Sequence, residues 1–162
     1  MYSFAIITAS DKGSRGERID ESGRVIEEIM NAANYRFVER LIIEDDREKL
    51  KEAMIYLADE KKVNLILTTG GTGFSLRDVT PEATLDVVDR LTPGISEAIR
   101  AYSLKITPRA MLSRATSGIR NQTLIINLPG STKAVRESLE YILDSLKHGL
   151  DILCGNDGEC AR

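Results

Sequence analysis

Short runs of apolar residues alternate along the chain with segments in which apolar residues recur every three or four positions. The runs are rich in aliphatic side chains and are typical of buried strands. They lie at residues 4–7, 37–43, 63–69 and 122–128, with a shorter strand near 116–119. This alternation predicts a fold of the α/β class, a three-layer α/β/α sandwich with a mainly parallel central sheet.

Apolar stripes and turn residues place the helices between these strands. The stripes predict helices at residues 25–33, 50–58, 95–105 and 135–146, and a short helix at 108–114. Asp45 followed by Glu48 is a capping-box pattern, which predicts that Asp45 caps the helix over 50–58. Thr80 followed by Pro81 predicts another helix, with Thr80 as its N-cap and Pro81 at its first position.

The chain length of 162 residues suits a single domain. We expect that domain to span residues 1–153 and a C-terminal tail to span 154–162. The tail contains both cysteines, Cys154 and Cys160, which we interpret as reduced thiols. A disulfide or a metal clip in the tail is the alternative.

Charge and hydropathy limit the classes of partner. The net charge of -3 and the pI near 5.3 are unlike those of a general nucleic-acid binder, so we expect no nucleic-acid partner. The sequence contains neither an apolar run of about 18 residues nor a basic leader, so we expect no membrane partner and a cytoplasmic location. The only histidine is His148, which argues against zinc hydrolase chemistry and a Ser-His-Asp triad.

Polar and glycine-rich segments follow four of the predicted strands. They lie at residues 10–16, 44–46, 70–73 and 129–133. Because ligands bind beyond the carboxyl ends of parallel strands, we expect these segments to meet at one edge of the sheet and to form the binding site.

The glycine-rich loop Gly70-Gly71-Thr72-Gly73 allows close approach of the backbone, so its amides could hold phosphate oxygens. It is not a P-loop, because no Gly-Lys-Ser/Thr follows it. Nor is it the dinucleotide fingerprint, because position 76 is Leu76. A tight strand-to-helix turn that needs positive φ remains the alternative.

Two carboxylates, Asp45 and Asp78, follow the second and third predicted strands and are candidates to flank this loop. A helix cap at Asp45 and a turn residue at Asp78 are the structural interpretations. The functional interpretation is that both bind Mg²⁺ together with phosphate oxygens. Five positively charged residues on or near the same loops favour an anionic ligand: Lys12, Arg15, Arg77, Arg114 and Lys133.

Four motifs in order resemble the molybdopterin adenylyltransferases, the MogA/MoaB family of molybdenum cofactor biosynthesis. The most specific is the segment from Leu67 to Gly73 followed by the segment from Arg77 to Thr84. The others are residues 10–12 with Gly16, Asp20, Ser22 and Gly23, residues 111–116 with Gly118, and residues 124–130. The resemblance covers roughly residues 3–153.

The resemblance implies transfer of AMP from Mg²⁺-ATP to the terminal phosphate of molybdopterin, with release of pyrophosphate. It implies that Asp45 and Asp78 are the catalytic and metal-binding residues, with Asp46 as a less favoured register for the first, and that Ser113 serves the site. With the loops above, the predicted substrate-binding residues are Thr69, Gly70, Gly71, Thr72, Gly73, Ser113, Pro129, Gly130 and Ser131. The family also implies a homotrimer, with other proteins of the cofactor pathway as partners.

Two alternatives stay open. A non-catalytic molybdopterin-binding or scaffold protein could share the fold, although the presence of both aspartates favours the enzyme. A homologous domain used for a later step such as metal insertion would carry extra domains, for which 162 residues leave no room.

Overall fold

The structure is a computed structural model that describes residues 1–156, and a single six-stranded sheet runs through its centre. The strands are β1 (Ser3–Ala9), β2 (Arg36–Ile43), β3 (Leu65–Thr69), β4 (Arg90–Leu91), β5 (Ser117–Arg120) and β6 (Thr123–Leu128). Their order across the sheet is β2-β1-β3-β6-β5-β4. Strands β2, β1, β3 and β6 are parallel to one another. Strand β5 pairs antiparallel with β6, and β4 pairs antiparallel with β5.

Within residues 1–156, five α-helices lie between the strands and a sixth follows the last strand. They are α1 (Asp11–Ser14), α2 (Glu21–Ala32), α3 (Arg47–Ile55), α4 (Thr80–Val87), α5 (Pro93–Leu104) and α6 (Thr132–Leu153). A π-helical turn over Tyr56–Glu60 extends α3, and a 3₁₀ turn over Pro108–Leu112 follows α5. No helix within residues 1–156 combines the length and the apolar character that crossing a membrane requires.

Alternate residues of each central strand face opposite sides of the sheet. Phe4 and Ile6 of β1 pack in a cluster with α2, α5 and α6, whereas Ala5 and Ile7 pack in a second cluster with α3 and α4. Because helices cover both faces, β1, β3 and β6 are buried along their whole length, whereas the edge strand β2 is only partly buried. The predicted three-layer sandwich with a mainly parallel sheet is confirmed.

Two predicted helix caps are wrong. The side chain of Asp46, not that of Asp45, accepts the Lys49 N–H at the start of α3, at 2.9 Å. Thr80 is the first residue of α4 rather than its cap, and its hydroxyl donates to the Gly70 carbonyl at 3.0 Å. Asp45 is therefore available for another role, and Thr80 fixes the glycine-rich loop to α4.

The C-terminal helix ends at Leu153, the last residue of the predicted domain. Cys154 follows as a partly buried free thiol that accepts a long hydrogen bond from Asn64 Nδ2, at 3.5 Å. Cys160, the other predicted thiol, lies outside the described residues.

Candidate active site

The carboxyl ends of β1, β2, β3 and β6 meet at one edge of the sheet, as their parallel pairing requires. The loops that follow these strands line a cavity of about 870 Å³. Contributors include Asp11, Asp45, Gly71 and Ser131, one from each of the four loops. The predicted convergence of the four segments is therefore observed, and the cavity is large enough for an extended phosphorylated ligand.

Positive φ angles at Gly70 and Gly71 shape the floor of this cavity. Their values are +89° and +69°, in the left-handed region that favours glycine. A Cβ on Gly70 would lie 2.5 Å from the Ala9 carbonyl oxygen, and one on Gly71 would lie 2.3 Å from Thr80 Oγ1. The loop therefore needs glycine for close packing against β1 and α4, and it also exposes backbone to the cavity. Both interpretations of the loop, as a tight turn and as a cradle, are compatible with this geometry.

Asp45 lies at the end of β2 and forms a reciprocal pair with Asp11 at the end of β1. The Asp11 N–H donates to Asp45 Oδ2 at 3.1 Å, and the Asp45 N–H donates to Asp11 Oδ1 at 3.0 Å. A Cβ on Gly71 would lie 3.3 Å from Asp45 Oδ1. One carboxylate oxygen is thus fixed by the neighbouring loop, and the other lies against the glycine-rich backbone.

The two members of this pair differ in their electrostatic surroundings. Burial raises the pKa of the Asp45 carboxyl, and the charges of Asp11 and Asp78 raise it further. Hydrogen bonds from the Arg77 guanidinium lower the pKa of Asp11 to about 2, with help from the Asp45 N–H. Asp11 is therefore ionised at neutral pH, and the Arg77 guanidinium balances its charge. The ionised form of Asp45 would be stabilised by a nearby cation.

Asp78 lies in the turn between the glycine-rich loop and α4. Its Oδ2 accepts the Ser75 N–H at 3.0 Å, and a Cβ on Gly73 would lie 2.9 Å from the same oxygen. Asp78 Oδ1 receives no hydrogen bond from residues 1–156. The predicted turn role is observed, and Asp78 also lines the cavity together with Asp45.

The donor set fits a magnesium ion that is shared with substrate phosphates. Within the described part of the chain, no group of three or more His, Cys, Asp or Glu side chains could hold a metal ion. However, Asp45 and Asp78 each leave one carboxylate oxygen without a hydrogen bond from residues 1–156. Magnesium usually binds one or two carboxylates, with phosphate oxygens and water completing its shell. These two residues could hold it in that way.

The same cavity also presents groups suited to anions. Lys12 and Arg18 line it, and neither forms an ion pair with another described residue. Gly130, Ser131 and Thr132 line it at the start of α6, a helix of 22 residues whose free N–H groups and dipole favour negative charge. Carboxylates and anion-binding groups thus face the same cavity.

Several predicted residues have structural roles. The Thr69 hydroxyl donates to the Pro129 carbonyl at 2.6 Å, joining the ends of β3 and β6. Ser131 caps α6 by accepting the Ala134 N–H at 3.2 Å. The Arg114 guanidinium donates to the carbonyl oxygens of Gly73 and Asp78, both at 2.7 Å, and pairs with Glu82.

Of the five positive residues predicted near the loops, only Lys12 lines the cavity. Arg77 pairs with Asp11, and Arg114 supports the glycine-rich loop. Arg15 pairs with Glu17 at 3.0 Å, and Lys133 lies 3.8 Å from Glu137. The charges of these four residues are therefore balanced within the protein.

The cavity brings together seven of the predicted site residues and leaves out four. The seven are Asp45, Thr69, Gly70, Gly71, Asp78, Gly130 and Ser131. Thr72, Gly73, Ser113 and Pro129 do not line it, although the Arg114 N–H next to Ser113 donates to the Thr72 carbonyl at 2.8 Å. Ser113 is thus placed beside the glycine-rich loop but not at the cavity.

The sequence did not select Asp11, Arg18 or Asp20 as site residues. Asp20 caps α2 by accepting the Gly23 N–H at 2.9 Å, and it also accepts the Thr8 hydroxyl. All three residues lie in the polar loop after β1, whose position at a strand end was the only signal from the residues themselves.

Comparisons with known proteins agree on one family. A family model described as a probable molybdopterin binding domain matches residues 5–148. The molybdopterin adenylyltransferase of Helicobacter pylori strain J99 is 41% identical over 158 residues, covering 94% of this chain and 88% of that protein. The molybdopterin adenylyltransferase of Escherichia coli K12 is 42% identical over 144 residues, covering 88% of this chain and 74% of that protein.

A solved structure has the same fold. The crystal structure of the molybdopterin biosynthesis enzyme MoaB from Thermus thermophilus superposes with a TM-score of 0.91 at 43% sequence identity. The superposition covers 96% of this chain and 98% of that chain.

Proposed function

The chain belongs to the family of probable molybdopterin-binding domains, and on that premise we propose that it is a molybdopterin adenylyltransferase. The reaction would transfer AMP from ATP to the terminal phosphate of molybdopterin and release pyrophosphate. The molybdopterin adenylyltransferases of Helicobacter pylori and Escherichia coli, which resemble this chain over most of its length, support this activity. The activity of this chain would serve molybdenum cofactor biosynthesis in the cytoplasm, and other proteins of that pathway would be further partners.

The proposal rests on two carboxylates that share a cavity with groups suited to binding phosphate. Each carboxylate has one oxygen that accepts no hydrogen bond from residues 1–156. Asp45 and Asp78 lie against the glycine-rich loop, and the start of α6 lines the same cavity. A protein that only bound an anionic pterin would gain nothing from two carboxylates there, because they repel its phosphate. Nucleotidyl transfer needs them to hold the cation that neutralises the triphosphate.

The proposed reaction is a direct transfer that needs no covalent enzyme intermediate. An oxygen of the terminal phosphate of molybdopterin attacks the α-phosphorus of ATP and forms a new P–O bond. The bond from that phosphorus to the oxygen bridging the β-phosphate breaks, and pyrophosphate leaves with the electron pair. Positioning and charge neutralisation supply most of the catalysis in such reactions, which fits a site without a cysteine or histidine among its lining residues.

Each part of the cavity has a role in this reaction. Mg²⁺, held by Asp45 and Asp78, would neutralise charge on the phosphates when it is bound. The amides of Gly70 and Gly71 and those at the start of α6 would orient phosphate oxygens. Lys12 and Arg18, which line the same cavity, would balance negative charge on the substrates. Thr69 and Pro129 would act indirectly, because their mutual hydrogen bond fixes the ends of two strands. We assign Thr72, Gly73 and Ser113 to the support of the glycine-rich loop.

We propose a homotrimer as the working form. Four exposed apolar side chains near the C-terminal end of α5 and in the following 3₁₀ turn form what we call the α5 patch: Leu104, Ile106, Met111 and Leu112. Their exposed fractions are between 44% and 64%. Contiguous exposed apolar residues favour an interface, and cyclic closure would bury them in a finite assembly.

Pyrophosphate release tests the proposed function. Purified protein is mixed with Mg²⁺-ATP, and pyrophosphate is measured before and after molybdopterin is added. We expect release only when both substrates are present, and loss of release when the metal is chelated. Binding of molybdopterin without any release would instead support the non-catalytic scaffold.

A further inference from the structure

An ion pair joins the turn that contains Asp78 to Asp11, the residue that is hydrogen-bonded to Asp45. Arg77 Nε donates to Asp11 Oδ2 at 3.0 Å, and Arg77 Nη2 donates to Asp11 Oδ1 at 2.8 Å. This is the bidentate geometry that a guanidinium forms with a carboxylate. Arg77 immediately precedes Asp78 in the chain, so the pair ties the turn containing Asp78 to the loop after β1.

Asp11 passes this constraint to Asp45 through their two backbone hydrogen bonds. The Asp11 N–H holds Asp45 Oδ2, and Asp11 Oδ1 accepts both the Asp45 N–H and the Arg77 guanidinium. The Asp11 carboxylate thus receives three N–H donors. It has little capacity left to bind a cation itself, which makes it a support for Asp45 and not a third ligand.

We propose that Arg77 and Asp11 are positioning residues that set the separation and orientation of Asp45 and Asp78 for Mg²⁺ and the triphosphate. This inference rests on the proposed function. It adds a role for two residues that lie outside the proposed metal shell. Residues that orient metal ligands typically change metal affinity or activity about 10–100-fold when they are substituted.

The position of the pair makes a purely structural role a poor explanation. The Arg77 and Asp11 side chains are 61% and 28% exposed. Exposed ion pairs contribute little to stability, so loss of this one should leave the protein folded. A second bidentate pair, Arg47 with Asp86, provides a matched control. Its distances are 2.7 and 2.8 Å and its exposures are 50% and 25%, and neither residue lines the cavity.

The test compares Arg77→Gln and Asp11→Asn with the control Arg47→Gln in the full chain. The first readout is Mn²⁺ binding, measured by electron paramagnetic resonance in the presence of α,β-methylene ATP. We expect Arg77→Gln and Asp11→Asn each to weaken Mn²⁺ binding about 10–100-fold. Arg47→Gln should bind Mn²⁺ like the wild type, and urea unfolding should show all three variants to be folded.

The second readout separates positioning from direct contact with substrate. If Arg77 acts through Asp11, the double variant should be no worse than the more impaired single variant, because the two residues form one unit. In adenylyl transfer, kcat should fall while the KM for molybdopterin stays unchanged. Additive losses, or Mn²⁺ binding like that of Arg47→Gln, would overturn the inference. A wild-type protein that releases no pyrophosphate would refute the proposed function instead.

Discussion

At the scale of single residues, the neighbouring carboxylates Asp45 and Asp46 have separate tasks. Asp46 caps α3 through the Lys49 N–H, whereas Asp45 faces the cavity with one oxygen against Gly71. Asn and Asp are about equally good helix caps, so an amide can replace Asp46 without harm. On the proposed function, an amide at position 45 would remove a negative charge that helps to hold Mg²⁺ on the triphosphate.

This difference predicts the outcome of two matched substitutions. Asp45→Asn should lower kcat for adenylyl transfer about 10²–10³-fold, the loss expected for one electrostatic contact in a transition state. Asp46→Asn should keep wild-type activity. Initial rates of pyrophosphate release measure both. A larger loss in Asp46→Asn would make Asp46 the functional carboxylate. Equal losses would contradict the separate tasks of the two residues.

The sequence could predict Asp78 and the glycine-rich loop because their motif is continuous and directly follows a strong strand signal. It could not decide the roles of Asp45 and Arg77 from the residues alone. Capping by Asp45 or Asp46 depends on a one-residue shift in the start of α3. The partner of Arg77 is 66 positions away, at Asp11, and only the folded sheet brings them together.

At the scale of elements, Arg114 connects the 3₁₀ turn region with the glycine-rich loop and α4. Its guanidinium donates to the carbonyl oxygens of Gly73 and Asp78 and pairs with Glu82. A side chain predicted to bind anions is therefore a brace between three segments. Its loss would leave two carbonyl oxygens and a carboxylate without their partner.

Arg114→Leu should lower the free energy of unfolding by about 2 kcal/mol, since hydrogen bonds to charged groups in partly buried positions carry that magnitude. Urea denaturation measures the change. The control is Arg136→Leu on α6, where the Arg136 side chain is 43% exposed and, among residues 1–156, forms only ion pairs with Glu28 and Glu140 at the surface. That variant should lose less than about 1 kcal/mol. Equal losses would show that Arg114 contributes no more than a surface pair.

The main strands and helices could be predicted because each central strand is buried on both faces and therefore reads as an unbroken apolar run. The edge strand β4 was not predicted. It contains only Arg90 and Leu91, both exposed, and its pairing with β5 is set by the sheet and not by its own composition.

At the scale of the whole molecule, the α5 patch leads to a prediction about assembly. Sedimentation equilibrium at micromolar concentration should give a mass near three times 17.9 kDa. Met111→Lys places a charge in the patch and should shift the equilibrium toward the monomer, because burying an unpaired charge is costly. Ile152→Lys changes a half-exposed apolar residue on α6, outside the α5 patch, and should leave the mass unchanged. A wild-type mass near 17.9 kDa would contradict the trimer.

Label transfer from ATP is the direct test of the proposed adenylyl transfer by this chain. Protein is incubated with molybdopterin, Mg²⁺ and ATP labelled at either the α- or the γ-phosphorus, and Asp78→Asn serves as the inactive control. We expect α-label in the pterin product and γ-label in pyrophosphate, and we expect Asp78→Asn to slow the appearance of both about 10²–10³-fold. Recovery of all α-label as ATP in the presence of bound molybdopterin would contradict the proposed transfer.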